Sequence, residues 1–135
     1  MNVEALIRFA LEARTFAYAP ISGFYVGAAL LTKTGKIFAG CNVENASFSP
    51  TNCAERTTFF KAVSEGERTF EAIAIVGGKK DEKIDYCPPC GVCRQVMLEF
   101  CSPDFLVIVA RGETDYQTYT LGELTPHAFM PSALK

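Results

Sequence analysis

Apolar residues recur at intervals of three and four near the start of the chain. Val3, Leu6, Ile7, Ala10 and Ala13 form one stripe of a helix predicted over residues 3–17. Glu4, Arg8 and Glu12 lie four apart on its polar side, where they can pair weakly. "YAPISG" ends the helix, because proline and glycine do not extend it. The pattern then changes to two β-prone runs, "FYVGAALLT" (24–32) and "KIFAGCNVE" (36–44), joined by a short polar turn containing glycine, as in a hairpin.

"NASFSPTN" reads as a loop, and residues 53–64 read as a second helix with Phe60 and Val63 among its core contacts. "FEAIAIVGG" (70–78) is a short apolar run of the kind a buried strand shows, and "KKDEKID" after it is an exposed loop. Residues 91–101 are predicted helical, "DFLVIVAR" is a fourth strand, and "DYQTYTLGEL" holds a fifth strand and a turn. Helices interleaved with strands in the order α-β-β-α-β-α-β-β predict an α/β fold, a three-layer α/β/α sandwich around one five-stranded mixed sheet.

The length of 135 residues fits one domain with a core of its own, and 49% hydrophobic with 21% charged residues is ordinary for a globular protein. The formal charge is −2 and the longest basic cluster is Lys79-Lys80, which argues against a nucleic-acid partner. Charged residues interrupt the apolar ones at the N-terminus, so no signal peptide is read there. No apolar stretch approaches the roughly 20 residues of a membrane span. A cytoplasmic chain is expected, and in that compartment thiols stay reduced. The six cysteines, 41, 53, 87, 90, 93 and 101, therefore point to metal binding or catalysis before disulfides.

"PCGVC" gives Cys90 and Cys93 the spacing of a zinc-chelating pair at a helix start, and Cys53 at another helix start can supply a third thiolate. Helix N-termini favour thiolates. The one histidine, His127, lies far along the chain, so an all-sulfur site for Zn2+ is expected, one per subunit. Three protein ligands leave the fourth tetrahedral position for water, as in a catalytic site. Glu55, two residues after Cys53, is then placed to move that water's protons. Arg56 and Arg94, each adjacent to this cluster in sequence, can offset the excess thiolate charge. "CPPCGVC" contains two overlapping pairs, so Cys87 can also chelate, or close the site as a fourth ligand. Cys41 and Cys101 read as small buried hydrophobes.

A Cys₃ zinc site with a separate acid/base glutamate is the pattern of zinc deaminases. "VGAALLTKTGKIFAGCNVENASFSPTNCAERTTFFKAVSEG" with "PCGVCRQVMLEF" resembles the small homotetrameric cytidine deaminases of pyrimidine salvage, over most of the chain. The resemblance implies hydrolytic deamination of cytidine and 2′-deoxycytidine, with a zinc-activated hydroxide attacking C4 and Glu55 shuttling protons to ring N3 and to the leaving ammonia. It implies that Asn42 and Glu44 contact ribose hydroxyls, that Phe24 packs near the nucleoside, and that the Ala54 backbone contacts the pyrimidine. It also implies that Phe129 reaches a neighbouring subunit's site in a homotetramer with shared active sites.

The chain departs from that pattern at Ile21, Phe48, Pro89 and Val92, which bear on substrate preference and subunit contacts. Two other readings are a deaminase of another aminopyrimidine nucleoside, of the blasticidin type, and a non-catalytic Cys₄ zinc domain.

Overall fold

The computed structural model describes residues 1–135. Helix α1, Val3–Arg14, is followed by strands β1, Phe24–Thr32, and β2, Ile37–Cys41. Helix α2, Ala54–Ser64, strand β3, Phe70–Lys79, and helix α3, Gly91–Phe100, come next. Strands β4, Leu106–Gly112, and β5, Asp115–Thr120, lead into a one-turn helix α4, Leu121–Leu124. A 3-10 turn over Pro131–Leu134, which the pattern does not announce, closes the chain.

The strands form one sheet in the order β2-β1-β3-β4-β5. Only β3 and β4 run parallel; the other neighbours are antiparallel, so the sheet is mixed. Strands β1, β3 and β4 are buried on both faces, which is why their sequences read as continuous apolar runs rather than alternations. On one face α1 packs Leu6, Ile7 and Ala10 against Ala29, Ala74 and Ile108. The other face is covered by α2 and α3 around Phe59, Met97 and Val107. The expected three layers are present.

Helix α1 stops at Arg14 rather than residue 17 and β2 at Cys41 rather than residue 44, and two contacts also differ from the sequence reading. Helix α2 turns Glu55, Thr58, Phe59 and Ala62 inward, while Phe60 is 47% exposed. Adjacent phenylalanines leave the helix face ambiguous by one residue, and the register is decided by Phe59. Its ring lies 5.2 Å from Phe70 and about 6 Å from Phe100 and Phe105. In α1, Arg8 does not depend on its helical neighbours but pairs with Glu113 at the tip of the β4–β5 hairpin.

Helix α1 lies so close to the sheet that a Cβ on Gly27 would stand 2.0 Å from the Ala10 carbonyl and 2.6 Å from the Arg14 nitrogen. Both are backbone atoms, which cannot swing aside. Beyond this contact, Arg14 Nε donates to the Tyr25 carbonyl at 2.8 Å and its Nη2 to Gly78 at 2.7 Å, locking the helix end over β1 and β3. Gly27→Ala is expected to destabilise the fold by about 3 kcal/mol or more. Gly112→Ala, where a Cβ meets nothing within 4 Å, should change stability by less than about 1 kcal/mol. Urea unfolding midpoints of the two variants check this.

Candidate functional site

The two helices of one layer meet at the site through their beginnings. Cys53 is the N-cap of α2 and Cys90 the N-cap of α3, both in extended conformation, and neither side chain makes a capping hydrogen bond. An N-cap side chain ordinarily accepts from its own helix. Here both sulfurs are left free to point at a shared centre. Cys93, in the first turn of α3, is buried and completes a group of three whose Sγ atoms all lie within 4.8 Å of one another.

The Cys53 and Cys90 sulfurs are 3.9 Å apart. Sulfurs at about 2.3 Å from a tetrahedral zinc stand about 3.8 Å from each other, so this spacing fits the ion. Neither Cys87 nor Cys41 joins the group.

The electrostatics of the cluster call for a cation. The Cys53 thiol is drawn down to about 5, first by its hydrogen bond with Cys93 and then by Arg56. The Cys93 thiol is pushed up by the same contact with Cys53 and by burial. The two shifts oppose each other because neighbouring thiolates repel. Arg56 Nη2 donates to Cys53 Sγ at 3.3 Å, while its Nε is buried with no acceptor, so this guanidinium is tied to the cluster. Arg94, expected to share the task, donates instead to the Pro89 carbonyl at 3.2 Å and makes no hydrogen bond to sulfur.

Glu55 occupies a core position of α2, one turn before Phe59 on the inward face, and is only 5% exposed. Burial pushes its carboxyl up to about 7, and the negative Cys53 beside it adds to the rise. A carboxylate on an apolar stripe is costly unless it has work to do there. Ala54, fully buried, separates it from Cys53.

These residues line a cavity of about 250 Å³ whose opposite wall carries Phe24, Asn42 and Glu44. That wall is made where the segments after α1 and β2 zip together through the Tyr18–Val43 and Val43–Asn52 bridges. Asn42 is buried and braced against β1: its Oδ1 accepts from Val26 N at 2.9 Å, and its Nδ2 donates to the Phe24 carbonyl at 2.8 Å. Glu44 Oε1 accepts from the Ile21 and Ser22 nitrogens at 2.9 and 3.0 Å, and Oε2 accepts from the Ser22 hydroxyl. The hydrogen bonds from Ser22, side chain and backbone, hold the Glu44 carboxyl below the usual carboxylate range.

Phe129 stands apart from this cavity, 61% exposed, its carbonyl accepting from Gln95 Nε2 at 2.9 Å. His127 is exposed as well, at φ 54°.

The cavity also contains residues that the sequence reading did not single out. Val26 lines it because it shares a face of β1 with Phe24 two residues earlier, a relation the strand period could have given. Ser22 carried no signal beyond its nearness to Phe24. Cys87, which the sequence offers as an alternative chelator, lines the wall without joining the cluster, and burial pushes its thiol up to about 12.

The sequence model of the cytidine and deoxycytidylate deaminase zinc-binding region matches residues 1–109. The chain belongs to this deaminase family. Within it, the cytidine deaminase of Halalkalibacterium halodurans is 50% identical over 129 residues, covering 96% of this chain and 95% of that protein. The cytidine deaminase of Sporosarcina psychrophila is 48% identical, over 96% and 92% of the two chains. The crystal structure of the cytidine deaminase from Burkholderia pseudomallei superimposes with a TM-score of 0.87 at 48% identity, covering 96% of this chain and all of that one.

Single replacement of Cys53, Cys90 or Cys93 by alanine is expected to abolish the one zinc per chain that metal analysis should find. Cys87→Ala, outside the cluster, should keep it. Atomic absorption on the four dialysed variants checks both statements.

Proposed function

We propose that residues 1–135 form one catalytic domain that hydrolyses cytidine and 2′-deoxycytidine to the corresponding uridines and ammonia. The observation that carries this reading is a buried carboxylate, Glu55, on the same helical turn as one member of a three-sulfur cluster that opens onto a cavity. Cys53, Cys90 and Cys93 would hold zinc, which when bound acts as a Lewis acid and lowers the pKa of a water from about 15.7 to about 7. The closed Cys₄ reading lacks its fourth sulfur, since Cys87 faces Gly77 of β3, where a Cβ would stand 2.9 Å from its Sγ.

Glu55 takes a proton from the attacking water and delivers it to ring N3, which makes C4 electrophilic. A C–O bond forms at C4. The second water proton, again through Glu55, goes to the amino group, the C4–N bond breaks, and ammonia leaves with the C4 carbonyl in place. Arg56 offsets the cluster's excess negative charge through its hydrogen bond to Cys53. The Ala54 backbone borders the pyrimidine, and Phe24 packs near the nucleoside. The ribose hydroxyls meet Glu44 and Asn42, whose side chains are already oriented by main-chain bonds.

The assembly is a homotetramer in which Phe129 enters a neighbour's site. Supporting this, Phe16, Phe48, Val92 and Phe129 are all more than half exposed, an unusual outlay of apolar surface for an isolated chain. No helix is long and apolar enough to cross a membrane, so this surface is not that of a membrane-spanning helix. A cytoplasmic location accords with reduced thiols.

Glu55→Gln should keep zinc and fold while ammonia release from cytidine falls by about 10²–10⁴-fold or more. Blasticidin S run in parallel separates the two nucleoside readings, and retained turnover of cytidine by the variant would overturn the proton-shuttle assignment. Sedimentation equilibrium is expected to return the mass of four chains of 14.8 kDa. Phe129→Ala should raise KM for cytidine more than it lowers kcat.

A further inference from the structure

The segment 80–90 between β3 and α3 ends on Cys90, yet most of it runs over the surface. Its side-chain ties to the β4–β5 hairpin centre on Tyr86. The Tyr86 hydroxyl donates to Asp115 Oδ1 at 2.6 Å, and Arg111 Nε donates to Asp115 Oδ2 at 2.9 Å. The Arg111 guanidinium carbon also stands 4.4 Å from the centre of the Tyr86 ring, within cation–π range. Asp85 Oδ1 accepts from the Tyr86 nitrogen at 2.7 Å and lies 3.9 Å from Arg111 Nη1. Arg111 and Asp115 flank the turn of the β4–β5 hairpin, and none of these groups touches a sulfur of the cluster.

From this arrangement we infer that Tyr86, Arg111 and Asp115 act together as a clamp that positions the metal centre, setting where Cys90 is presented to Cys53 and Cys93. The physical route is short. Pro88 and Pro89 lie between Tyr86 and Cys90, and proline fixes φ, so the placement of the ring is carried to Cys90 with little slack. At the other end, the Gly77–Asp85 bridge and the close approach of Ile84 to Gly78 hold the segment to β3. Cys87 packs against Gly77 and the Pro89 carbonyl accepts from Arg94, so Tyr86 is the segment's one hydrogen-bonded tie to the β4–β5 hairpin. The clamp fixes the ring end of the segment, the end these contacts with β3 and α3 do not reach.

Its members are solvent-accessible, with the Arg111 and Asp115 side chains 37% and 49% exposed, so they contribute little to global stability. Their effect is local order. A site whose ligands are already in position holds its metal longer, as partners that orient zinc ligands do elsewhere.

The inference rests on the zinc reading of the three cysteines, and the experiment separates the two. Zinc-loaded full-length protein is mixed with excess chromophoric chelator and the metal release rate is followed, alongside the urea midpoint at saturating zinc. Arg111→Ala is expected to release zinc about tenfold faster and Tyr86→Phe, which keeps the ring under the guanidinium, a few-fold faster, with both urea midpoints unchanged. Arg8→Ala, which frees the same hairpin from α1 on the opposite side, should release zinc at the wild-type rate. Equal release rates in wild type and both clamp variants would overturn the inference, as would faster release that appears only together with a lowered midpoint. Wild-type protein that holds no zinc would instead overturn the metal reading itself.

Discussion

Three sulfurs within 4.8 Å of one another cannot all carry charge unless a cation stands among them. That constraint organises the molecule around it. Two helix N-termini aim at the cluster, and Arg56 is drawn to it. The buried Glu55 belongs to the same balance, since its negative form is disfavoured by burial and by Cys53 alike. A cation held by the three sulfurs would offset both charges.

The sheet makes the convergence possible. Helices α2 and α3 cover the same face, anchored through Phe59, Phe70, Phe100 and Phe105, so their first turns can meet although their sequences are far apart. The opposite layer, α1, contributes no residue to the cluster. Its part is to fix β1, through Gly27 and Arg14, and β1 carries Phe24 and Val26 into the cavity. The wall that carries Phe24 and Val26 and the wall that carries the sulfurs are therefore held by different layers of one core.

Much of this was legible beforehand. Element order and type followed from hydrophobic period, because α1 is amphipathic and the inner strands are continuous apolar runs. The cluster was legible because chelation demands a fixed spacing, which "PCGVC" satisfies, and because Glu55 stands two residues after Cys53 at a helix start. What failed was finer. Phe60 could not be told from Phe59 by pattern, since only tertiary packing distinguishes two adjacent rings. Arg94 lies beside Cys93 in sequence, but its guanidinium turns to the Pro89 carbonyl, which proximity along the chain does not foretell. The hydrogen bonds that occupy Asn42 and Glu44, and the Tyr86 contacts with the distant hairpin, are long-range juxtapositions with no local signature.

The cluster joins Cys53 to Cys90 across 37 positions, with the whole of β3 between them. Closing a loop of that length is an entropic debt that only native contacts elsewhere can settle. An unfolded chain can still offer Cys90 and Cys93 as a weak bidentate pair, but the third sulfur arrives only when β3 has docked beside β1 and both covering helices have landed on one face. Metal capture is thus tied to the completion of folding rather than its start, and a newly made chain gains its catalytic centre at the moment it gains its topology.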